Sequence, residues 1–355
     1  MRKSMVILLL AWWLVAPAWG AELPREVRDA LPAAAEEITE ELEDPASLSE
    51  GLSRLWDRAL GYVEEAVRQS IGGGVVLLAA AVLCALTEEC MDAAGGKVHF
   101  VPMAGALAIT LAAAGSVKTM MGLGQETVEE LNTFSKALLP TLSAAVAASG
   151  GIVSASVRQV ATIFFVDLLL SLIRGLLLPL VYFYVASAAA GAMLPGEPLK
   201  RIAAGIKKVV TWALTGSLVL FTGYLTLTGA ASTSADALVL QMTRSVISTA
   251  VPVVGGIISQ ASGSVLSGAG LLKNSLGVFG MLAVLATCLT PFLHMAVQYL
   301  LYKVTAFLAG TAGNGTLVEL IDALGSAFGL VLGMVGSCAL LLLISITSSV
   351  SVVVS

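Results

Sequence analysis

Residues 325–346 read GSAFGLVLGMVGSCALLLLISI. The stretch carries no charge over 22 residues. As an α-helix it would be about 33 Å long, enough to cross a hydrocarbon core of about 30 Å. Runs of the same kind recur at 71–86, 101–117, 138–157, 160–194, 209–230 and 276–301. The run at 160–194 is long enough to be either one broken span or a tight hairpin. Two segments are ambivalent. Residues 120–136 are amphipathic, with Glu126, Glu129 and Glu130 facing away from Met121, Val128 and Leu131, and are expected as an outer loop. Residues 251–272 are apolar but rich in Gly and Ser, and fit either a packed span or a re-entrant pair of half-helices.

Composition agrees with this reading. Of 355 residues, 57% are hydrophobic and 12% charged, about half the charge of an ordinary soluble domain at about 25%. The mean hydropathy is +0.92. A soluble core of this size could not hide so many apolar segments, so a soluble enzyme, a disordered chain and a nucleic-acid binder are excluded as classes. The net charge of −5 offers no basic surface for nucleic acid. The fold class expected is all-α: a polytopic helical membrane protein with a cleavable signal peptide and a short extracytoplasmic amphipathic helical segment.

The N-terminus has the form of a targeting signal. Arg2 and Lys3 precede an apolar run from Met5 to Val15, and Ala16-Pro17-Ala18 and Ala18-Trp19-Gly20 both supply small residues for cleavage. Residues 1–20 are therefore expected as a signal peptide, 21–70 as an acidic extracytoplasmic segment and 71–355 as the membrane domain. Thirteen of the 24 acidic residues lie between Glu22 and Glu65. Within that segment Leu52, Leu55, Trp56, Ala59, Leu60, Val63 and Val67 repeat at helical spacing. This stripe suits the bilayer surface, a partner helix or the protein's own membrane domain.

Orientation follows from Lys and Arg. Lys200, Arg201, Lys207 and Lys208 fall together between two spans and mark a cytoplasmic loop. Counting three spans from an external N-terminus brings Arg158 inside as well. Glu88, Glu89 and Asp92 lie where this scheme has an inner loop, against its charge preference.

Chemistry-bearing patterns are few. Asp167 and Arg174 stand seven residues apart in an apolar run and share a face of a continuous helix, where they could line an aqueous path, pair with other helices or snorkel. His294 follows Pro291 in a long apolar span and reads as a packing residue before a proton relay. The four cysteines, Cys84, Cys90, Cys288 and Cys338, form no CxxC pair, which leaves neither a metal site nor a disulfide framework. No HExxH motif occurs. Ser264 and Ser267 lie in a glycine-rich run with no base assigned to them, and close helix packing explains that run better. Without a GxxxxGK[ST] loop, nucleotide-driven energy has to come from another subunit. No catalytic, cofactor or metal residue is assigned, and the chain is read as a non-enzyme.

Three blocks carry a resemblance: Phe221-Thr222-Gly223-Tyr224-Leu225-Thr226-Leu227-Thr228-Gly229, Ser232-Thr233-Ser234-Ala235-Asp236-Ala237 and Val251-Pro252-Val253-Val254-Gly255-Gly256. Together with the signal, the acidic segment and the polytopic remainder, they resemble the stage III sporulation protein AE family of endospore-forming bacteria. The resemblance implies a membrane component of a channel or secretion-like complex linking mother cell and forespore, needed for forespore development after engulfment. It implies a place in the mother-cell membrane that engulfs the forespore. It also implies partners: the other stage III A proteins, a separate ATPase subunit and a forespore-membrane protein. A homo-oligomer is compatible with the small-residue faces. The competing reading is a self-contained permease working by alternating access, built on Asp167, Arg174, Pro179 and the segment 251–272.

Overall fold

The computed structural model describes residues 25–33, 35–36, 48–93, 100–150, 152–194, 198–250, 255–311 and 315–351. The expected signal peptide, much of the acidic segment and residues 251–254 lie outside them. Every regular element among the described residues is helical. In chain order these are α1 (Arg25–Asp29), α2 (Leu48–Ala93), α3 (Phe100–Ala148), α4 (Ile152–Leu172), a π-turn (Ile173–Leu177), α5 (Leu178–Met193), α6 (Pro198–Ala250), α7 (Gly255–Gly310) and α8 (Gly315–Val350). Among the described residues, six stretches are long and apolar enough to cross a membrane: Ser49–Cys90, Phe100–Ala148, Gln159–Met193, Pro198–Leu227, Gly270–Gly310 and Gly315–Val350.

The uncharged stretch 325–346 lies on α8, which forms an antiparallel pair with α7 at the centre of the bundle. In each of these two helices 61% of the most apolar window is buried, against 22% or 28% in the other four. Between apolar helices in lipid, association rests on close packing more than on expelled water, so small residues mark the contacts. A Cβ on Gly325 would lie 2.9 Å from Tyr302 Cβ, and one on Gly280 would lie 2.6 Å from Leu138 Cδ2. Around the central pair, α2 runs parallel to α7, with Gly51 against Leu282 and Gly74 against Leu301. α3 runs parallel to α8, with Gly105 against Leu317 and Gly124 against Val331. α6 also runs parallel to α8, joined by Lys200–Glu319 at one end and Gly333–Leu214 farther along. α4 is antiparallel to α6, and Phe165 meets Phe221 edge-on at 5.3 Å between ring centroids.

Three expectations change and two open alternatives are resolved. Residues 101–117, 120–136 and 138–148 are one unbroken helix, so 120–136 is no loop. Its amphipathic pattern is nonetheless real: Met121, Val128 and Leu131 are buried while Glu126, Glu129 and Glu130 are exposed. The run 138–157 is cut at Gly150, whose φ of 102° is left-handed backbone that glycine adopts without a Cβ clash. The run 160–194 is a broken span, not a hairpin. Pro179 has no N–H for the carbonyl of Gly175, and the π-turn widens the helix at that point without ending it. Arg158 and Lys200 consequently lie at opposite ends of the bundle, which removes Arg158 from the cytoplasmic side of the scheme built on Lys200. Finally, α7 is unbroken from Gly255, so no re-entrant break falls within 255–272.

Candidate functional site

α3 and α4 meet in a ladder of charge. Lys136 Nζ lies 3.6 Å from Asp167 Oδ1, and Arg174 reaches Glu129 through Nη2 and Oε2. The two helices are antiparallel, and each contributes a pair seven residues apart with the charges reversed: Glu129 and Lys136 on α3, Asp167 and Arg174 across the groove. Seven residues is two helical turns, so both rungs fall on one line. Asp167 and Arg174 are therefore brought to one edge, as the spacing implied. Each takes its partner from α3, though, and they do not pair with one another.

These side chains remain between 37% and 56% exposed. On α3 the exposed face continues through Gln125, Glu126, Glu130 and Thr133. On α4, Val160, Phe164 and Leu168 are exposed beside Asp167 and present a surface suited to lipid. The ladder thus marks a boundary, with an apolar arc on one side and an acidic helix face on the other at the same level. An exposed carboxylate facing hydrocarbon costs a few kcal/mol on insertion scales, so the acidic face of α3 suits water or protein.

The remaining candidates fall elsewhere. His294 borders a cleft of about 270 Å³ between α7 and α2, with Tyr62, Glu65, Gln69 and Thr290. Ser264 and Ser267 lie on the helical backbone of α7. Cys288 and Cys338 are buried as small apolar packing residues, whereas Cys84 is part-buried and Cys90 is exposed; all four are free thiols. On the stripe of α2, Leu55 is buried against the bundle, whereas Leu52, Trp56, Leu60 and Val67 are exposed.

Two features were missed in the sequence. Glu129 stands out in the sequence only as one acid of an amphipathic face, and Lys136 not as its companion, because a loop over 120–136 sets no register between them; the repeated spacing of seven with opposite charge order is the available signal. The second is a polar knot at the other end of the bundle. There Lys303 Nζ bonds Asp322 Oδ1 at 2.6 Å, and both Lys303 and Lys207 donate to Ser326 Oγ at 3.1 Å. Nothing in the local sequence links residues more than 100 positions apart.

The sequence model of the family described as stage III sporulation protein AE matches residues 36–353. A curated relative, stage III sporulation protein AE of Bacillus subtilis (strain 168), is 22% identical over 241 residues, covering 68% of this chain and 60% of that protein. The chain thus spans about three fifths of the length of the curated relative it matches. No solved structure matches it.

Proposed function

The chain belongs to the stage III sporulation protein AE family, and from that premise we propose that it serves in sporulation as a multi-pass membrane component of a channel or secretion-like complex linking mother cell and forespore. The observation that carries this reading is the family match over residues 36–353. In this reading the protein sits in the mother-cell membrane around the forespore and supports forespore development after engulfment. The other stage III A proteins, a separate ATPase subunit and a forespore-membrane protein are its partners. The chain itself does no catalysis.

Two features support a share in the conduit. The acidic face of α3 lies at the level of the apolar arc of α4, where water or protein has to cover it. The apolar residues Leu52, Trp56 and Leu60 on α2 offer a helix face to a partner. With the cluster Lys200, Arg201, Lys207 and Lys208 taken as cytoplasmic, α2 begins outside the cytoplasm. The six spans then alternate without the help of Arg158.

The test is a sporulation time course of a deletion strain, complemented by a tagged copy isolated in mild detergent. A block after engulfment, with the other stage III A proteins co-purifying, is the expected result. Normal sporulation with the tagged protein isolated alone overturns the proposal and leaves the permease reading, with Asp167 and Arg174 as the first residues to change.

A further inference from the structure

A cavity of about 340 Å³ opens between α5, α6 and α8 at the end of the bundle away from the charge ladder. Tyr184, Lys200, Lys207, Thr316 and Glu319 are among the residues lining it. Its charges are unequally matched. Lys200 is paired with Glu319. Lys303, just behind the wall, is paired with Asp322 at 2.6 Å. Lys207 has no carboxylate within ion-pair distance among the described residues, and its ammonium donates to Ser326 Oγ. That same hydroxyl also accepts from Lys303. Ser326 is 4% exposed, so two ammonium groups converge on one buried neutral oxygen with a single carboxylate between them.

An excess cation held at a half-open cavity is a seat for an anion. An ammonium offers three donors, and Lys207 uses one of them on Ser326. The neighbourhood adds to the field: Arg201 and Lys208 are exposed on the same two turns of α6. Lys208 lies 5.0 Å from the ring centre of Trp212, an aromatic residue of the kind that settles at a membrane–water interface. Basic pockets between membrane helices on the cytoplasmic side recur as seats for anionic head groups.

We propose that this cavity binds the phosphate group of an anionic molecule through Lys207, with Lys200 and Lys303 supplying the supporting field. A phospholipid head group and free phosphate share that chemistry. The site is separate from the α3–α4 ladder, and the proposal stands or falls independently of the conduit reading.

The experiment uses the full chain in mild detergent, titrated with phosphatidylglycerol, phosphatidylcholine or inorganic phosphate, with bound lipid read by native mass spectrometry and bound phosphate by calorimetry. Phosphatidylglycerol should be retained over phosphatidylcholine. Lys207→Gln should weaken that retention about fivefold, the effect of one surface cation on an anionic lipid, while Lys136→Gln at the distant charge ladder leaves it within about twofold. Binding of inorganic phosphate that needs Lys207, without lipid preference, assigns the same seat to free phosphate. Asp322→Asn guards against a misfolded variant, because unmasking Lys303 should tighten retention, a gain that misfolding does not produce. Equal retention by wild type and Lys207→Gln, or no gain in Asp322→Asn, overturns the proposal.

Discussion

At Gly325, α8 meets α7 with no room for a side chain. A Cβ there would stand 2.9 Å from Tyr302 Cβ, an atom fixed to the backbone of α7 that cannot swing aside. Gly325→Ala should therefore force the central pair apart and destabilise the fold by about 1–3 kcal/mol, as over-packing does in other tightly packed cores. Gly122→Ala on α3, where nothing lies within 4 Å, should stay within about 1 kcal/mol of wild type. Unfolding of the purified protein in a detergent titration separates the two. The charge ladder allows a second prediction at this scale. Arg174→Glu places two carboxylates together and should lower sporulation while the protein still inserts. Adding Glu129→Arg restores opposite charge and should recover most of the loss. Failure of the double variant to recover would mean that the rung does more than hold α3 to α4.

The elements show what was legible and what was not. Hydrophobic periodicity is a local property, so the apolar runs and the amphipathic faces of α2 and α3 could be read from the chain. Where a helix stops depends on a few backbone groups. The apolar run 138–157 carries no stop in its composition, yet Gly150 ends α3 with left-handed backbone. The polar middle of α3 imitated a loop because a solvated helix face and a solvated loop have similar composition. On α2 the structure divides a stripe that had seemed uniform, since Leu55 is 5% exposed and Trp56 68%. Replacing Leu52, Trp56 and Leu60 with Ser should therefore reduce co-purification of the other stage III A proteins without changing the amount inserted. Leu55→Ser should lower the amount inserted, because it removes a contact with the protein's own bundle. Equal co-purification by wild type and the triple variant would count against a docking role for this face.

At the scale of the whole molecule, the side of the bundle carrying α2 and α3 is polar in the half where α4, α6 and α7 are apolar. The first half of α2 exposes Asp57, Glu64, Glu65 and Arg68 alongside α7, and α3 exposes Glu126, Glu129 and Glu130 in the same half. Neighbouring helices at one level cannot all face lipid with such different surfaces. Three coverings of the α3 face are physically distinct, namely lipid, a partner and water, and labelling single cysteines between 121 and 136 with a membrane-impermeant maleimide tells them apart. The native cysteines would first be replaced, with Ala at the buried positions 288 and 338. For a water-lined face, positions 122, 125, 126, 129, 130 and 133 should react, while 121, 124, 128 and 131 should not, because the latter four are buried in the helix packing. Reaction at every position would restore the loop that the helix replaces. Silence throughout would put the face in lipid. Reactivity that is present when the chain is expressed alone, and lost when the other stage III A proteins are made with it, would identify a docking face. Reactivity that survives their presence is the outcome expected of a conduit wall, because water then still reaches the acidic side of α3 in the assembled complex.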